Sequence, residues 1–154
     1  MSSDRLSLNG SLPSKRKPTL DERNRQADQT LTSRYDALNQ AFVEAEKRLK
    51  ALKPLHPVWL DYGHVRCEGE PEWWELLGLT KYQGKWRLCH ASDHEMNDYG
   101  FDNIKPVVEC AVDVRVRAAK AVRQLHEKIV KSKEEYIPEV DEAIKELTSL
   151  CSEI

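Results

Sequence analysis

Long apolar runs are missing from this chain. Its hydrophobic stretches last only a few positions, well short of the roughly 20 residues a bilayer-crossing helix needs. The N-terminus also lacks the basic-then-apolar order of a secretory signal. Together these absences lead us to expect a cytoplasmic protein with no membrane partner. An excess of one charge is missing too: 24 Lys and Arg stand against 26 Asp and Glu, a net charge of -2, so overall charge selects no partner. Gly-rich phosphate loops, GxSxG and HExxH do not occur, which leaves phosphoryl transfer, serine hydrolysis and zinc hydrolysis without a residue to start from. The four cysteines, Cys67, Cys89, Cys110 and Cys151, are too scattered for a CxxC knuckle and read as reduced thiols.

What is present is a chain of 154 residues, 40% hydrophobic and 32% charged, long enough to bury one core without metals or disulfides. Residues 1–18 are rich in Ser, Gly, Pro and Lys without periodicity and are expected to form a disordered tail, leaving residues 19–154 as a single α+β domain. Thr19 and Glu22 have the spacing of a capping box, which predicts a helix over 19–53. Leu31, Tyr35, Leu38, Phe42, Ala45, Leu49 and Leu52 recur at steps of four and three, a coiled-coil-like seam that closes at Pro54. A second helical region is expected over 103–152, capped at Asp102 or Asn103 with Pro106 in its first turn. Val107, Ala111, Val114, Ala118, Val122, Leu125 and Ile129 keep its period. Pro138 is expected to break or kink it, and Ile137, Val140, Ile144, Leu147 and Cys151 continue an apolar stripe beyond. The two helical regions are expected to pack antiparallel along their seams.

Three strands are predicted between the helices, at 58–67, 73–82 and 85–90, as an antiparallel meander. Gln83-Gly84 suits a two-residue turn with positive φ, pairing Tyr82 with Lys85, Lys81 with Trp86 and Leu79 with Leu88. A turn at Gly69-Glu70 would set Leu60 opposite Leu79 and Tyr62 opposite Leu77. Pro71 cannot donate a hydrogen bond there, so a longer loop in another register stays open. In this register Val58, Leu60, Tyr62, Leu77, Leu79, Trp86 and Leu88 share a core face, with Trp73 near the turn. Trp59, Val65, Trp74, Leu76, Tyr82 and Cys89 share the reverse, with Asp61, Gly63, Gly78, Thr80 and Arg87. The reverse is apolar enough to need a cover.

His64, Cys67, Cys89, His90 and His94 supply metal-ligand types, but His64 and Cys67 lie three apart on one strand and face opposite ways. Asp93, His94, Glu95 and Asp98 gather acid and base types in one loop without a placed nucleophile. No catalytic residue, cofactor or metal is therefore assigned, and a non-enzymatic protein is expected. The favoured reading is a protein-protein interaction, adaptor or regulatory protein, self-associating as a homodimer through its long helices or through the aromatic sheet face of Trp59, Trp74, Tyr82 and Arg87. The alternative is a nucleic-acid-binding protein. Lys15, Arg16 and Lys17 in the tail, with Arg115, Arg117, Lys120, Arg123, Lys128, Lys131 and Lys133, would meet phosphates while sheet aromatics stack on bases. Against that alternative stand Glu68, Glu70, Glu72 and Glu75 along the sheet, and residues 134–154, where seven acids face one lysine.

Overall fold

A computed structural model describes residues 16–65, 68–70, 72–94 and 101–153. The chain is α+β, with one antiparallel sheet among long helices. It divides into two compact units, residues 1–38 and residues 39–154. Helix α1, Leu20–Ala51, belongs to both. In the first unit the expected capping box forms. Thr19 Oγ1 accepts from the Glu22 backbone N–H at 3.2 Å, and Glu22 Oε2 accepts from the Thr19 N–H at 3.2 Å. Leu20 and Leu31 are exposed there. Of the expected tail, residues 1–15 lie outside the described residues, as do Cys67, Pro71 and Glu95 to Asp98.

The second unit is built on four strands: β1 (Val58–Val65), β2 (Trp73–Tyr82), β3 (Lys85–His94) and β4 (Asp102–Pro106), in the order β1-β2-β3-β4. Three strands were expected, and the fourth is the correction. Asp102 to Pro106, read from sequence as the cap and first turn of a helix, pairs instead with β3 through Cys89 opposite Pro106, His90 opposite Lys105 and Ser92 opposite Asp102. β3 also runs four residues past the predicted end, to His94. The first half of β2 needs a backbone partner, and Trp73 to Leu76 find it in Ala91 to His94.

The β2–β3 hairpin has the predicted register throughout, with Leu79 opposite Leu88 and Lys81 opposite Trp86. Gln83 and Gly84 both take positive φ, 51° and 82°, as a type I′ turn requires. The β1–β2 hairpin differs. Leu60 faces Leu77 and Val58 faces Leu79, a slip of two positions that leaves Val58 to Asp61 on their expected faces. Beyond Asp61 a β-bulge takes up one residue, so Gly63 pairs with Glu75, His64 with Trp74 and Val65 with Trp73. The tight turn at Gly69-Glu70 is replaced by a longer connection, consistent with a Pro71 that has no N–H to give. The bulge also moves Gly63 to the core side.

After β4 come a 3-10 turn (Val107–Glu109), helix α2 (Val112–Ala119) and helix α3 (Val122–Glu153). The N-cap of α2 is Ala111, whose side chain offers no cap hydrogen bond. That start therefore left no polar mark in the sequence. α3 runs through Pro138 as one helix rather than breaking. Pro138 lies on the helix face opposite Val140 and Leu147, in a stretch where every residue is exposed. α3 packs on β1 and β2. Leu77, Leu79, Leu125 and Ile129 are fully buried in the core, with Val58, Leu88, Ala118 and Ala121 nearly so. Within this unit residues 39–51 of α1 bury Phe42 and Leu49, and polar links connect the helical regions: Arg115 Nη1 donates to Asn39 Oδ1 at 2.5 Å and Lys133 Nζ to the Leu52 carbonyl at 2.5 Å.

Candidate interaction surface

The aromatic sheet residues lie on the expected second face, where neighbours occupy them. Gly78 has no side chain, and the Trp59 indole lies across it; a Cβ there would meet Trp59 Cε3 at 2.4 Å. Trp59 also meets Phe101 edge-on at 5.1 Å between ring centres. Trp74 stacks on His64 at 5.1 Å, and His64 Nε2 lies 3.1 Å from Glu72 Oε2. Arg87 Nε donates to Glu46 Oε1 at 2.9 Å, and the Leu88 backbone N–H donates to the same oxygen at 2.6 Å, joining α1 to β3. Trp59, Trp74 and Tyr82 are half-buried. Cys89 and His90 point to opposite faces of β3, and among the described residues no three His, Cys, Asp or Glu side chains converge as a metal set. Cys67 and the side chain of His94 lie outside the described residues.

Most of the basic helix is engaged internally. Arg115 holds Asn39. Arg117 Nη2 and Nε donate to Glu75 at 2.6 and 3.1 Å, and its Nη1 to Asp113 at 3.1 Å. Lys128 donates to the Trp59 carbonyl, and Lys133 to that of Leu52. Lys120 and Arg123 are exposed. Among the described residues no helix is long and apolar enough to cross a membrane.

A cleft of about 300 Å3 lies where the β1 bulge faces the α2–α3 junction, lined by Tyr62, Gly63, Glu75, Arg117, Lys120 and Gln124. The Tyr62 hydroxyl is buried with no protein partner, and so is His90 Nε2, their rings 6.0 Å apart. Burial pushes the Tyr62 phenol well above its ordinary range, with the Glu75 carboxylate adding to the rise. Burial lowers the His90 imidazole, helped by Arg117 and Lys105 and opposed by Glu75. Tyr62 and His90 are both neutral near pH 7, and the wall of the cleft also carries the Glu75 carboxylate, held by Arg117. No sequence motif marks it, because the bulge that forms one wall depends on the pairing of β1 with β2.

A run of exposed apolar side chains lies on α3. From Glu134 to Glu153 every residue is exposed, and Leu125 and Ile129 are the buried residues of the helix. Tyr136, Ile137, Val140, Ile144, Leu147 and Leu150 are 42 to 63% exposed. Ile137, Val140, Ile144 and Leu147 are marked by their spacing in the sequence, and Tyr136, Ala143 and Leu150, spaced by seven, widen the stripe along one side. Such a face suits a helix packed in a bundle better than one left in water. No protein-family model, no curated protein and no solved structure matches this chain.

Proposed function

We propose that this protein is a non-enzymatic interaction or adaptor protein whose docking element is the distal half of α3. The observation that carries this reading is the stripe of six large apolar side chains between Tyr136 and Leu150, exposed on a helix segment that buries nothing against its own domain. A continuous apolar face on an otherwise polar helix is stabilised when another polypeptide covers it. Two occupants fit, a second copy of the chain and a different polypeptide. The nucleic-acid reading has less support, because Arg115, Arg117, Lys128 and Lys133 are tied to groups within the domain. Site-specific photo-crosslinking in cells tests the proposal. A photoreactive residue at Leu147 is expected to give a discrete polypeptide adduct, and one at Glu142 on the opposite face none. Adducts to nucleic acid from Lys120 or Arg123, with none from Leu147, would sink it.

A further inference from the structure

The charges bordering the distal α3 face select between the two occupants. Residues three and four apart are neighbours on a helix surface. Glu139 and Glu146 therefore line the edge formed by Tyr136, Ala143 and Leu150, while Glu134 and Asp141 line the edge formed by Ile137 and Ile144. The apolar face thus has an acidic border on each side. Over residues 134–153 seven acids stand against the single Lys145, and every one of these residues is exposed. Two copies of this segment, laid parallel or antiparallel, would bring acidic border against acidic border, which helix pairing disfavours. The apolar face spans Tyr136 to Cys151, about 24 Å along the axis, a length that a partner helix of a few turns can cover.

We propose that this face docks an amphipathic helix of another polypeptide whose apolar seam is bordered by lysines or arginines. The proposal rests on the reading of α3 as a docking element and adds the chemistry of its partner. Apolar contacts supply the attraction and the two borders supply the selection, because opposite charges beside a seam favour pairing and like charges oppose it.

The test uses the full chain and three synthetic helices of about four heptads. One carries a leucine seam bordered by lysines, one the same seam bordered by glutamates, and one the lysine sequence scrambled so that no seam forms. Binding is followed by fluorescence anisotropy, and the mass of the chain alone by light scattering. The lysine-bordered helix is expected to bind at least about tenfold more tightly than the glutamate-bordered one, a difference of about 1.4 kcal/mol. The gap should narrow in about 0.5 M salt, and the scrambled helix should not bind. Leu147→Asp should abolish binding with the circular dichroism spectrum retained. Reversing Glu139, Asp141 and Glu146 to lysine together should invert the preference. Equal binding of both seam helices would overturn the proposal while leaving the docking reading intact. So would a dimer of the chain alone that Leu147→Asp dissolves, since the occupant would then be a second copy. No binding by either seam helix, together with no adduct from Leu147 in cells, would overturn both.

Discussion

Arg117 grips Glu75 with two nitrogens, Nη2 to Oε1 at 2.6 Å and Nε to Oε2 at 3.1 Å, and so ties α2 to the centre of the sheet across 42 positions of sequence. The pair is possible because Gly63 sits opposite Glu75: a methyl group there would meet Glu75 Oε2 at 2.9 Å. The bulge in β1, the last turn of α2 and the mouth of the cleft all meet at this link. A residue that reads in sequence as a phosphate contact is here a structural clamp.

Arg117→Ala leaves the Glu75 carboxylate, only 15% exposed, without its guanidinium. A loss of about 1–2 kcal/mol is expected, toward the low end for a charged hydrogen bond because Arg117 itself is half-exposed. Urea midpoints of Arg117→Ala, Glu75→Gln and the double variant would measure the coupling. Fully additive effects would show that the pair contributes nothing as a pair.

Gly78→Ala should be among the most damaging single-methyl additions. Its Cβ would meet Trp59 Cδ2 at 2.5 Å and the Val58 carbonyl oxygen at 2.8 Å, and the second contact is with backbone that cannot swing aside. We expect about 1–3 kcal/mol of destabilisation. Adding Trp59→Leu should recover only part of it in thermal unfolding, and complete recovery would place the whole clash on the indole.

His90 should give the domain an acid-side instability. Its folded pKa lies below the ordinary value of 6.5, first because of burial and then because of Arg117 and Lys105, against the pull of Glu75. Above pH 6.5 the imidazole is neutral in both folded and unfolded chains. Below it the unfolded chain takes up a proton that the folded one resists, so stability falls as pH drops from 6.5 toward the lower folded value and levels off beneath that value. Between pH 6.5 and about 5, His90→Gln should lose less stability than the wild type. Parallel curves would assign the slope to other groups.

The thiols should separate by position. Cys89 is fully buried and its thiol is pushed up to about 12, chiefly by burial, and Cys110 is buried and raised for the same reason. Cys151 is exposed on α3. Brief alkylation of the native protein followed by peptide mapping should label Cys151 and spare Cys89 and Cys110, and all three should label in denaturant. Early labelling of Cys89 would mean that the sheet opens locally at β3.

Within α3 the two halves should respond differently to truncation of apolar side chains. Leu125→Ala and Ile129→Ala remove fully buried groups and should cost about 2–5 kcal/mol. Leu147→Ala removes a side chain that is 63% exposed and should stay within about 0.5 kcal/mol of wild type. A large loss at Leu147 in the isolated chain would mean that the stripe already has a cover, and the docking reading would fail.

Part of the candidate surface was legible in the sequence, and part was not. Ile137, Val140, Ile144 and Leu147 announce their stripe by spacing alone, and the seven acids of residues 134–153 can be counted without a fold. Whether that stripe was covered could not be counted, because exposure depends on which face the rest of the chain reaches. The basic helix shows the reverse case. Its charges are plain in sequence, but Asn39, Glu75, Trp59 and Leu52, the groups that engage them, lie roughly 40 to 80 positions away.

The sequence by itself determined the α+β class, the capping box at Thr19 and Glu22, the type I′ turn at Gln83-Gly84 and the register that follows from it. All of these depend on residues within a few positions of one another, where backbone conformation and side-chain period act directly. The tertiary structure decided that Asp102 to Pro106 form a fourth strand, that Tyr62 and Gly63 bulge, and that Arg117 is a clamp. Each of these depends on hydrogen bonds to partners distant in the chain. The free backbone of β3 and the buried carboxylate of Glu75 could be satisfied only there, and that requirement outweighed the local preferences that had pointed elsewhere.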